Sequence, residues 1–124
     1  MSYKEMMEKA RPKFYDMDTQ PLIDHMQWVM YGASLMETGE KSLAHDIVGN
    51  YRVSTVYIGL DMGFMNVLPL IFETMIFVEE SKEDNLGINL WMDRYTWKEQ
   101  ALQGHERALR LARGEISLEE SGGC

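Results

Sequence analysis

The segment Leu43-Ala44-His45-Asp46-Ile47-Val48-Gly49-Asn50-Tyr51-Arg52-Val53-Ser54-Thr55-Val56-Tyr57-Ile58-Gly59-Leu60 sets two β-prone runs on either side of a Gly-Asn dipeptide. β-Branched and aromatic side chains suit a pleated surface, and a Gly-Asn pair suits a tight reversal, so the segment predicts a β-hairpin. Strand side chains alternate between faces. Val53, Thr55, Tyr57 and Gly59 therefore share one face and Ser54, Val56, Ile58 and Leu60 the other, the second set being the more apolar.

Downstream, Asp61 to Pro69 reads as a loop containing Gly63, and Leu70 to Val78 as the most apolar strand, expected at the centre of a sheet. The charged run Glu79, Glu80, Ser81, Lys82, Glu83, Asp84 is a solvated loop, and Ile88 to Tyr95 a fourth strand. Thr96-Trp97-Lys98-Glu99 fits a capping box, so a helix begins at Trp97. Its stripe of Trp97, Ala101, His105, Ala108 and Ala112 is widened by Leu102 and Leu109, and Gly114 is its stop.

Upstream, Leu22, Ile23, Met26, Val29, Met30 and Ala33 recur at spacings of three and four. They predict an amphipathic helix capped by Asp18 or Thr19, with Pro21 in the first turn, ending near Met36 before Gly39. The expected fold is α+β: an antiparallel sheet of about four strands packed by an N-terminal and a C-terminal helix. Residues 1–120 form one domain, and the Ser-Gly-Gly-Cys end, 121–124, is a flexible tail.

The 124 residues, 45% apolar and 26% charged, match globular usage. No run approaches ~18 consecutive apolar residues, and the first residues are charged, so neither membrane insertion nor export is expected. A formal net charge of −8 repels phosphates and disfavours direct nucleic-acid binding. The acidity serves solubility or presents an acidic face to a basic partner. Cys124 is the only cysteine, so no internal disulfide or thiolate metal site arises. His25 and His45 lack metal-ligand spacing, and no glycine-rich phosphate cradle is present. No cofactor or metal is expected.

Several side chains are candidates for chemistry. Glu73 lies among Ile71, Met75 and Phe77 on one face of its strand, so it needs a cationic partner such as Arg94 or Arg52, or else serves as a ligand-binding or acid-base carboxylate. His105, on the apolar helix stripe, is either hydrogen-bonded within the core or part of a site; Gly104 beside it suggests a close approach there. Asp61 ends the hairpin's second strand and is a projecting functional residue or the head of an Asx turn. Ser54, Thr55 and Thr74 read as ordinary strand residues, without a nucleophile signature. Met62, Phe64 and Met65 put adaptable apolar side chains into a loop, either as a contact surface or folded back on the core.

Three groups of residues resemble a pattern of small proteins encoded in bacteriophages and prophages. They are Val53-Ser54-Thr55-Val56-Tyr57-Ile58-Gly59-Leu60-Asp61, then Pro69 with Leu70-Ile71-Phe72-Glu73-Thr74-Met75-Ile76-Phe77, and Arg94-Tyr95-Thr96 with Ala101 and Gly104-His105. The likeness runs from about Glu37 to Leu111. The position after the aspartate, commonly histidine in that pattern, is Met62 here. The resemblance implies a cytoplasmic accessory protein of the infected host, countering host defence by binding a host effector protein or sequestering a nucleotide-like signal. Asp61, Glu73, Arg94, Tyr95 and His105 are the expected polar contacts to a host protein or small anionic ligand, and a homo-oligomer is a further expectation. The alternative is a small hydrolase or transferase acting on a nucleotide-like ligand, with Glu73 and His105 as base and acid and Arg94 steadying an anion.

Overall fold

The computed structural model describes residues 13–63, 68–78 and 88–117. Helix α1 (His25–Thr38) precedes strands β1 (Ser42–Val48), β2 (Tyr51–Tyr57), β3 (Phe72–Val78) and β4 (Ile88–Tyr95), and helix α2 (Lys98–Ala112) closes the order. The strands form one antiparallel sheet in the order β1-β2-β3-β4, an α+β architecture with β2 and β3 inside, as expected for the apolar third strand. Gly49-Asn50 joins Val48 to its register partner Tyr51, with Gly49 at φ 60°. The charged run 79–84 and the tail 121–124 lie outside the described residues.

Both helix starts differ from expectation. Asp24 caps α1 by accepting the Gln27 N–H at 2.9 Å, while Pro21 sits earlier, in an isolated bridge to Tyr15. Thr96 is drawn into the core, its carbonyl accepting the Thr19 hydroxyl at 2.8 Å. The cap therefore moves on to Trp97, whose N–H is taken by the Gln100 side chain and not by Glu99. Gly39 and Gly114 stop the helices in the left-handed region, at φ 80° and 76°.

Helix α2 lies over the face formed by Val53, Thr55 and Tyr57 of β2 and Phe72, Thr74 and Ile76 of β3, burying Ala101, Gly104, His105, Ala108 and Leu109. The face carrying Ser54 and Val56, the more apolar one by composition, is the open one among the described residues. Helix α1 reaches the core with Trp28, Tyr31 and Leu35. Leu35 joins the cluster of Tyr57, Ile71, Phe72 and Tyr95, Tyr31 packs edge-on to Tyr57, and the Trp28 N–H bonds the Ile58 carbonyl at 3.0 Å. The remaining stripe expected to face the core, Ile23, Met26, Val29 and Met30, is exposed. Tyr57, the largest fully buried side chain among the described residues, donates its hydroxyl to the Tyr15 carbonyl. Burial pushes its phenol far above the ordinary tyrosine range, with Tyr31 and Asp16 adding to the effect.

Candidate functional site

The register assembles rows of residues across the sheet. On the covered face, Thr55 pairs with Thr74, and on the open face Val56 pairs with Glu73 and Glu73 with Arg94. Because successive strand residues point to opposite sides, Glu73 and Thr74 head in opposite directions although they are neighbours in the chain.

Beneath α2 the hydroxyls of Thr55 and Thr74 lie 2.6 Å apart, Thr55 is 2.7 Å from His105 Nδ1, and His105 Nε2 is 2.7 Å from an Asp46 carboxylate oxygen. An ionised carboxylate only accepts, so the Nε2 hydrogen goes to Asp46. In the neutral ring Nδ1 then accepts from the Thr55 hydroxyl, and Thr55 in turn accepts from Thr74. The donor order is that of a carboxylate–imidazole–hydroxyl triad. Its setting is not, since Thr55 and Thr74 are 0% exposed and the Thr74 hydroxyl occupies one side of the would-be nucleophile. In this conformation the chain of bonds ties the edge strand β1 and helix α2 to the inner strands. It also satisfies every side-chain polar group it passes through, which a dry interior requires.

Gly104, one residue before His105, lets the Tyr95 ring approach the helix backbone. A β-carbon there would collide with the Tyr95 hydroxyl and ring, a closeness expected from the sequence and met by Tyr95. Asp93 faces Arg107 of α2 at 3.6 Å.

On the open face Arg94 Nε donates to Glu73 Oε2 at 2.9 Å, satisfying the partner requirement of Glu73. Arg52 stands 4.6 Å from the Phe77 ring centroid, a cation–π contact between directly paired residues. Met75 and Met92 pair across β3 and β4 between these groups, and Ile47 pairs with Arg52 at the edge. The result is a half-buried apolar strip flanked by two arginines and a glutamate.

The five expected contacts are thus divided. Glu73 and Arg94 meet, whereas His105 and Tyr95 lie on the other side of the sheet. Asp61 is spent on its own loop, accepting from the Gly63 and Leu70 N–H groups at 2.9 and 3.0 Å in an Asx-type turn. Met62 is exposed, and Phe64 and Met65 lie outside the described residues. An apolar pocket of about 260 Å³, lined by Tyr51, Ile76, Leu90, Trp91, Leu111 and Ala112, includes none of the five. Sequence reasoning passed over Asp46 and read Thr55 and Thr74 as ordinary strand residues. The two-residue turn at Gly49-Asn50 carries the signal for the first, because counting back from it sets Asp46 opposite Val53, on the side of Thr55.

Among the described residues no three acidic, histidine or cysteine side chains group as metal ligands, and no helix is long and apolar enough to cross a membrane. No protein-family model, curated protein or solved structure compared with this chain matches it.

Proposed function

We propose that the chain is a non-enzymatic binding protein that docks on another protein through the open face of its sheet, in the counter-defence role that the likeness to small phage proteins suggests. The observation that carries this reading is the division of the polar residues. His105 is enclosed in a network with 0%-exposed threonines, while Glu73, Arg94, Arg52, Phe77, Met75 and Met92 share the uncovered face. An apolar strip with pre-paired arginines at its rim has the composition of a protein interface, where arginine, methionine and aromatic residues are enriched. The Glu73–Arg94 pair is already formed, so little side-chain ordering remains to be done on binding. Sequestering a nucleotide or running acid-base chemistry requires convergent groups in a concavity. Glu73 and His105 are separated by the sheet, so docking is the reading favoured.

The test is affinity capture from bacterial lysate with the wild-type chain and with Ile47→Glu. Ile47 is 70% exposed on the open face, so the substitution leaves the core intact. A defined protein held by the wild type and lost from Ile47→Glu and from Phe77→Glu, with both variants still folded, is the expected result. Equal retention by both variants, or a nucleotide in place of a protein, rejects the reading.

A further inference from the structure

The two edges of the sheet are unequal. In β1 the side chains of Ser42, His45, Asp46 and Ile47 are exposed, whereas in β4 Leu90 alone is exposed among the described residues. β1 pairs with β2, and among the described residues no strand lies on its other side. A two-residue turn joins Val48 to Tyr51, so these two close the hairpin as a hydrogen-bonded pair. The pattern alternates along an antiparallel ladder, which turns the N–H and C=O groups of His45 and Ile47 away from the sheet. Sheet edges are commonly blunted by proline, lysine or a bulge. From Ala44 to Val48 there is neither proline nor lysine, and the bulge falls before Ala44.

We propose that the β1 edge takes an extended basic segment of a partner protein, adding it to the sheet as a further strand. This mode of docking presupposes the protein partner proposed above and adds the chemistry of the segment bound. Free backbone groups recognise any extended chain, and the side chains beside them select among such chains. Alternate residues of an added strand fall on opposite faces. One set lies beside Ile47, 70% exposed and continuous with the strip that holds Phe77. The other lies beside Asp46, whose side chain is 52% exposed although it bonds His105. Arg107 reaches Asp93 of β4, so the other flank of α2, which carries exposed Leu102 and Glu106, is the one toward β1. Apolar residues therefore suit one side of the segment, and lysine or arginine the other.

Charge separates this occupant from a second copy. Another chain would bring its own Asp46 and a further net −8 to the edge, whereas a basic segment is attracted to it.

Two synthetic peptides as long as β1 test this on the full chain, one alternating valine with lysine and one alternating valine with glutamate. Binding is read by fluorescence anisotropy at low salt, and its place by amide hydrogen exchange. The lysine peptide should bind and slow exchange at His45 and Ile47, and the glutamate peptide should do neither. His45→Pro removes an outward N–H without breaking the ladder to β2, so the folded variant should bind the lysine peptide about tenfold more weakly or worse. His45→Ala, which alters the side chain alone, should bind as the wild type does. Failure of the lysine peptide to bind, equal binding by the glutamate peptide, binding without slowed exchange at His45 and Ile47, or full binding by His45→Pro overturns the proposal. Where His45→Pro does not fold, the exchange pattern of the wild type decides. Partner capture reads the two surfaces apart: a protein lost from Phe77→Glu but held by His45→Pro keeps the open face and removes the edge.

Discussion

The two faces of the sheet are built from the same strands, yet they solve opposite problems. The covered face uses hydroxyl and imidazole groups, Thr55, Thr74 and His105, and satisfies them in one run of hydrogen bonds that ends on Asp46. The open face uses full charges, Glu73 with Arg94, and apolar side chains that stay half in contact with water. A step of one residue, from Glu73 to Thr74, moves from one regime to the other. The difference teaches that polarity alone does not mark the accessible side of this sheet: the most enzyme-like geometry is sealed, and the simplest ion pair stands on the other face.

The contrast breaks most severely on the covered side. Thr55→Val keeps the shape but leaves His105 Nδ1 without its donor and Thr74 without its acceptor. Stranding buried polar groups should cost about 2 kcal/mol in urea unfolding. A cost near zero would show that the network contributes nothing to stability.

A smaller effect is expected at Tyr57, and it depends on pH. The folded chain holds the phenolic proton, whereas the unfolded chain releases it as pH rises through about 10, so above that pH the unfolded state binds fewer protons and stability falls. Tyr57→Phe should lose about 1 kcal/mol near neutrality, from the hydrogen bond to the Tyr15 carbonyl, and should show a flatter alkaline limb than the wild type. Parallel limbs for the two proteins would assign the alkaline loss to another group.

The open face should be the most tolerant. Glu73→Gln keeps a hydrogen-bond acceptor for Arg94 and removes a carboxylate charge from a side chain only 12% exposed, so the lost attraction is offset by the lost desolvation cost and stability should change by less than about 1 kcal/mol in the same urea assay. A larger loss would make this pair a structural element like its counterpart beneath α2.

Much of this division was legible in the chain. The Gly49-Asn50 turn, the alternation of Tyr51 to Tyr57 and the apolar run ending at Val78 specify three adjacent antiparallel strands, because each is a local pattern with a local cause. Glu73's need for a cation was legible too, and Arg94 meets it. Composition misled where neighbours decide. Ser54 and Val56 outweigh Thr55 in hydropathy, but Thr55 is the residue under α2, since paired hydroxyls and an imidazole make that position dry without making it apolar. The stripe from Met26 to Ala33 has core periodicity and faces outward, because Trp28, Tyr31 and Leu35 supply a second apolar side that wins the contact with Tyr57 and its neighbours. The Asp46–His105 bond joins residues 59 positions apart: the Gly49-Asn50 turn sets Asp46 on the covered side, but no local pattern brings His105 to it.

Partner capture by the Thr55→Val chain, at a temperature where it is fully folded, bears most directly on the separation of the two faces. Retention equal to the wild type is predicted, because Thr55 presents no surface to a partner and the open face is untouched. Loss of the partner from that folded chain would contradict the account, placing the sealed network inside the binding site.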